Sequence, residues 1–320
     1  MILKEDRFSH PAVEWRTLGL ALVIYGGWAA LTLRHADMPL WALALGGAWF
    51  TAWHGSLQHE AMHGHPTRVR AINTALVFLP LSLWLPYVRY RQSHLRHHVD
   101  ERLTDPLDDP ESYYWTPAQW QSLGRLGRAL VGLQTTLLGR MLIGPLWSIT
   151  RFLKFETFAI LRGDRALAKI WAAHMLACAG VLIWVVVVCR MPVWTYLLCF
   201  VYAGTALSLV RSFAEHKADS TVERRTAVVE NSWIFGVLFL FNNLHVAHHL
   251  RPALPWYALP AWYARNRAAI AARNGGLVYS GYRDVFRRFF VTRYQQLIHP
   301  HASADDSRPS GSAEPAHVQY

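Results

Sequence analysis

Four apolar runs set the terms on which this chain can fold. Residues 17–33, 38–57, 167–189 and 191–210 are almost free of charge, and each is close to the roughly 20 residues that a bilayer core requires of a helix. Within lipid every backbone N–H and C=O must be satisfied inside the chain, so such runs are helical. Short polar tips at Arg34 and Arg190 join the runs in pairs. The expected fold is therefore an all-α integral membrane protein with four transmembrane helices in two hairpins. The runs 71–87 and 233–241 are short or broken by Pro80 and Pro86, and are expected as re-entrant, interfacial or buried lid pieces. The first run is too long, and its front end too mixed in charge, for a cleaved signal; it is expected as an anchor.

The net charge of +11 at pH 7 would suggest a nucleic-acid partner in a soluble chain. Here the hairpin tips hold two of the 32 Lys and Arg, and nearly all others fall in the N-terminus, the segment 58–166 and the region from 211 onward. Basic residues accumulate on the cytoplasmic side of spans. Both termini and both large segments are thus expected in the cytoplasm, and no nucleic-acid role is needed. The stretch GYRDVFRRFFVTRY (281–294) either lies on anionic headgroups or forms a solvated helix face. Cys178, Cys189 and Cys199 sit in or at the ends of spans with no C-x-x-C pair, which argues against thiolate metal sites and disulfides. The tail 302–320 is small, polar and Pro-containing and reads as disordered, leaving one domain over 1–301.

The chain carries 17 histidines, and their spacing is informative. HEAMH gives His59 and His63, HLRHH gives His94, His97 and His98, and HVAHH gives His245, His248 and His249. Offsets of three and four put side chains on one face of a helix, so each group can aim imidazoles at a common point. His216, in RSFAEH just past the fourth run, is a further candidate; helix extensions of two turns, roughly 11 Å, would carry His59, His63 and His216 toward a shared site. His54, His299 and the other scattered histidines read as ordinary polar residues near a membrane surface, and His174 as a packed polar residue within a span. H-E-x-x-H on a helix is also the zinc-protease signature. A catalytic zinc takes three protein ligands, however, and eight or nine clustered histidines suit two metal ions. Imidazole alone does not name the metal.

The three boxes H-x-x-x-H, H-x-x-H-H and H-x-x-H-H, in this order over a four-span chain, resemble the membrane fatty acid desaturase superfamily. HEAMHG, TDPLDDPESYYW and NNLHVAHHLRPALPWYALP add to the likeness, which extends over roughly residues 17–300. The resemblance implies a cytoplasmic helical cap carrying the boxes and a non-haem pair of iron ions that activates O2 against an unactivated C–H bond. Its ligands would be His59, His63, His94, His97, His98, His245, His248 and His249, with His216 as a ninth. Ser212 stands where some members have a water-binding Asn. Glu60 would orient a ligand imidazole rather than serve a protease, and Asp105, Asp109, Glu215 and Asn243 are further candidates for that supporting role.

The expected reaction is O2-dependent desaturation of a fatty acyl chain; a hydroxylase or ketolase of an alkyl chain or carotenoid would use the same site. The pieces 76–90 and 233–244 either wall a substrate tunnel or pack at the interface. Arg89, Arg91, Arg96 and Arg102 either meet an anionic headgroup or follow the positive-inside pattern. No haem, flavin or iron–sulfur pattern is present, so electrons are expected from a separate ferredoxin, rubredoxin or cytochrome b5-like carrier with its reductase.

Overall fold

The computed structural model describes Leu3 and residues 11–301; the tail 302–320 lies outside the described residues. Helix α1 (Trp15–Leu33) turns through His35–Asp37 into α2 (Leu40–Met62). Two short helices, α3 (Arg70–Val77) and α4 (Tyr87–His97), follow; then come α5 (Pro117–Ser122), α6 (Arg125–Gln134) and the long α7 (Leu137–Leu161). The second apolar hairpin is α8 (Arg165–Leu182) with its π-helical extension Ile183–Val188, then α9 (Val193–Tyr196), a π turn over Leu197–Tyr202, and α10 (Ala203–Ser212). The remainder is α11 (Trp233–Leu238), α12 (His245–Leu250), α13 (Leu259–Arg273) and α14 (Tyr282–Phe289), with β1 (Val228–Val229) and β2 (Val278–Tyr279) paired in parallel.

Among the described residues three helical stretches are long and apolar enough to cross a membrane: Trp15–Leu33, Arg165–Val188 and Val193–Ser212. The fourth expected span, α2, is 23 residues long, but His54, Ser56 and Gln58 make its last turns polar. Those turns are buried all the same, because α2 is the central post, packed against α1, α10 and the π turn before α10. Lipid gives helices no hydrophobic reason to associate, so close approach through small residues holds them. A Cβ on Gly47 would lie 2.6 Å from the Cys199 carbonyl oxygen, and one on Gly204 would lie 2.6 Å from Thr51 Cβ.

Two expectations change. The middle segment contains α7, 25 residues long, with Leu142, Leu146, Phe158 and Leu161 turned outward. Arg140, Pro145, Arg151, Lys154 and Glu156 interrupt its apolar pattern and hide it from a search for continuous runs. The fourth span also does not continue helically to His216: α10 ends at Ser212, and His216 pairs with Thr226 in an extended bridge. Backbone bonds from Ala227 N–H to Glu215 O (2.8 Å) and from Lys217 N–H to Arg225 O (3.0 Å) replace the helical ones.

Candidate metal centre

The end of α2, α4 and α12 converge beyond the apolar helices with the bridge at His216. They gather nine histidines into two groups: His59, His63, His94, His98 and His248 in one, and His97, His216, His245 and His249 in the other. Within each group the candidate ligand nitrogens all lie within 4.8 Å of one another. Box two is divided between the groups because His94 and His98 are one turn apart, while His97 points to the side. Box three divides in the same way, His248 to the first group and His245 and His249 to the second.

Hydrogen bonding tests whether these residues suit a cation. His97 Nδ1 lies 2.9 Å from Asp109 Oδ1, His245 Nδ1 3.1 Å from Asn242 Oδ1, and His216 Nδ1 3.3 Å from the Arg225 carbonyl oxygen. Each Nδ1 therefore carries the proton and donates, which leaves Nε2 with a lone pair when the ring is neutral. Those Nε2 atoms face each other, His97 to His216 at 3.0 Å and His245 to His216 at 2.9 Å. Even with His97 protonated, His216 and His245 set two lone pairs face to face, a repulsion that a cation between them removes. Nitrogens held about 2.1 Å from one ion at right angles sit roughly 3 Å apart, which is the spacing found. In the other group His98 Nε2 lies 2.9 Å from His94 Nε2 and 3.0 Å from His248 Nε2, and the buried Nε2 atoms of His59 and His63 have no hydrogen-bond partner.

Electrostatics point the same way. Burial holds His94, His216, His245 and His248 well below the ordinary histidine pKa, so these rings stay neutral and able to ligate. Burial also opposes the charged form of His97, but the Glu111 and Asp109 carboxylates outweigh it and raise its pKa to about 9. Burial lifts Glu111 itself to about 7.

A family model described as fatty acid desaturase matches residues 35–282, spanning every one of these histidines. The chain belongs to this family. It is also 25% identical over 280 residues to a beta-carotene ketolase from a Paracoccus species, an alignment covering 82% of this chain and 99% of that protein. The comparisons support an oxidoreductase, and the family together with the three long apolar helices points to association with a membrane.

The supporting residues divide. Asp109 backs His97, and Glu215 Oε1 lies 3.5 Å from His245 Nδ1. Glu60 instead accepts the Trp256 backbone N–H at 3.0 Å, so the HEAMH glutamate anchors the loop after box three rather than an imidazole. Asp105 caps a turn through the Leu107 and Asp108 N–H groups. Asn243 donates to the Val229 carbonyl at 2.7 Å, and the Ser212 hydroxyl reaches Tyr113 Oη and Leu209 O, each at 3.5 Å. The sequence reading passed over Glu111, 2.9 Å from His94 Nδ1, and Asn242, behind His245. Both stand in the stretches that carry the family likeness, so only the choice within each stretch was missed. His54 and His299 are not surface residues: the first is buried against Tyr25 Oη at 3.1 Å and the second against Thr104 Oγ1 at 3.2 Å. His174 does pack internally, 2.8 Å from the Leu83 carbonyl oxygen. Arg89 is committed to Glu156, at 2.9 and 3.1 Å, and is no headgroup receptor.

A narrow cavity of about 70 Å³ runs beside the site between α2 and α10, with Trp84, Leu85, Tyr90 and Phe239 in its wall. Both interfacial pieces thus contribute to it. The Tyr90 ring centroid is 6.1 Å from that of His94.

Proposed function

We propose that this chain is an O2-dependent oxidoreductase that oxidises an unactivated C–H bond of a long apolar substrate held in the membrane, at a pair of iron ions ligated by the nine histidines. The observation that carries the reading is the convergence of the His97, His216 and His245 Nε2 atoms, with the His216 and His245 lone pairs face to face, beside a second imidazole group. Iron bound there supplies reductive O2 activation and hydrogen abstraction. The protein's own part is to hold His94, His216, His245 and His248 neutral, to orient the rings through Asp109, Glu111, Asn242 and Arg225 O, and to seat the substrate. The termini and the site face the cytoplasm in this reading, and a reporter fused at Glu111 gives a cytoplasmic signal.

The cavity favours a slender acyl chain. An apolar cavity of about 150 Å³ accommodates benzene; this one is about 70 Å³, with Gln58 and Arg211 in its wall beside Trp84 and Phe239, and it has room for a few methylenes rather than a ring. Desaturation of a fatty acyl chain is therefore the first product reading. The likeness to a carotene ketolase over nearly that protein's whole length favours a second, hydroxyl or keto formation on a carotenoid or alkyl chain. Mass spectrometry of acyl lipids and carotenoids, from cells with and without the protein, separates them. Loss of two hydrogens from an acyl chain supports desaturation, and gain of oxygen supports the second reading. An unchanged lipid profile together with stoichiometric single zinc in the purified protein would overturn both and restore the protease reading.

A further inference from the structure

An open groove of about 760 Å³ is lined by Tyr114, Trp120, Lys217, Arg293 and Tyr294 among others, with no carboxylate among the described residues of its wall. The Arg128 guanidinium adds a third cation, 5.7 Å from the centre of the Trp120 ring. The floor of the groove is close to the four-histidine group. Lys217 directly follows His216 in the chain, and Tyr114 Oη accepts the Ala218 N–H at 2.8 Å. A small internal cavity that includes Tyr114 and Gln295 in its wall also touches His216. A second opening, of about 320 Å³, reaches His249, but there Glu101 and Glu223 stand beside Arg273, so its charge is mixed. Aromatic residues and arginine are enriched in protein interfaces, and a single-sign field steers a partner of opposite sign.

We propose that this groove is the docking site of an acidic one-electron carrier protein, which delivers electrons to the metal pair past His216. The inference rests on the metal-dependent oxidation proposed above. In each encounter the carrier's centre is oxidised by one electron and the metal pair is reduced by one. Two encounters and two protons balance the reduction of O2 to two waters as the substrate loses two hydrogens.

The test uses full-length protein in detergent or nanodiscs, with an acidic [2Fe–2S] ferredoxin, an acidic rubredoxin and an acidic cytochrome b5 as probes. Binding is measured by calorimetry, and reduction by stopped flow with each reduced carrier and separately with dithionite. At least one carrier should bind the parent protein, more weakly as salt rises. Arg293→Glu should weaken that binding and slow carrier-driven reduction by about tenfold, while iron content and dithionite reduction stay unchanged. Trp120→Ala should weaken binding without flattening its salt dependence. Arg273→Glu, at the other opening, should change neither. The docking site is overturned if no acidic carrier binds the parent, if Arg293→Glu binds as the parent does, or if Arg273→Glu is the variant that fails. A protein that binds no iron defeats the functional reading instead, and the binding measurements still decide the groove.

Discussion

The two histidine groups are built from the same boxes but supported differently. In the four-membered group three of the rings, His97, His216 and His245, each set Nδ1 against an oxygen acceptor, and two carboxylates, Asp109 and Glu215, stand behind it. In the five-membered group Glu111 backs His94, while its other oxygen stands 3.9 Å from His97 Nε2 of the first group, and the other rings pack edge to face, with His59 4.6 Å from His94 and His63 4.8 Å from His98 between centroids. The group with fewer imidazoles thus depends on outer acceptors and carries more negative charge. The group with more imidazoles has redundancy instead. Losing one ligand should be far more damaging in the first case than in the second.

The largest effect is therefore expected from His216→Ala, which leaves that group three histidines and removes the ring lying between His97 and His245. Iron measured by plasma emission should fall from the proposed two ions per chain toward one. Turnover should fall beyond the 10–100-fold range typical of partners behind a ligand, by more than about 100-fold. His63→Ala, which still leaves four rings in its group, should keep more iron. Equal iron loss from both variants would erase the distinction between the groups.

A smaller effect is expected one layer out. Asp109→Asn keeps the size of the side chain but removes the charge behind His97, and Asp109 also accepts the Thr104 and Glu111 N–H groups. Iron affinity should drop by about 10–100-fold. Glu111→Gln should cost less, about tenfold or under, because the amide oxygen can still accept from His94 Nδ1 and that group has five rings. Chelator competition on the purified protein measures both. If Glu111→Gln proves the more damaging, the groups do not differ in their reliance on outer charge.

The sequence exposed these groups because ligation uses fixed offsets: His94, His97 and His98 are marked by spacing alone, as are His245, His248 and His249. It also exposed three of the apolar helices, whose composition is nearly uniform. It did not expose α7, whose outward leucines are separated by charged residues, Glu156 among them, which turns inward to pair with Arg89 of α4. The helical extension expected to carry His216 also failed, since nothing local in RSFAEHK announces that its backbone will pair with residues 225–227. Supporting residues such as Glu111 and Asn242 were legible only as members of acidic or amide-rich stretches. Which member faces a ring depends on tertiary geometry.

His299 sharpens the boundary of the site. It lies outside both groups, yet it is buried, and its Nε2 meets Thr104 Oγ1 at 3.2 Å. His299→Ala should leave iron and product yield unchanged while lowering stability by about 1 kcal/mol, the usual net worth of a buried hydrogen bond. Thermal unfolding in detergent reads the difference. A loss of iron would extend the four-membered group beyond the residues assigned to it.

Within the boxes the smallest effect is expected at Glu60 of HEAMH, the motif that also matches a zinc protease. A protease base must face the metal-bound water, and removing its charge abolishes activity. Here the carboxylate accepts the Trp256 backbone N–H, so it ties the end of α2 to the loop after α12. Glu60→Gln keeps an oxygen that can accept the same bond. The cost should be limited to the difference between a charge-assisted and a neutral hydrogen bond, about 1 kcal/mol. Iron content should match the parent and product yield should fall less than about threefold, since His59 and His63 keep their positions. His63→Ala in the same motif should lose iron measurably. If Glu60→Gln instead keeps its metal and loses all turnover, the glutamate acts on the reacting atoms, and its assignment to loop anchoring is wrong.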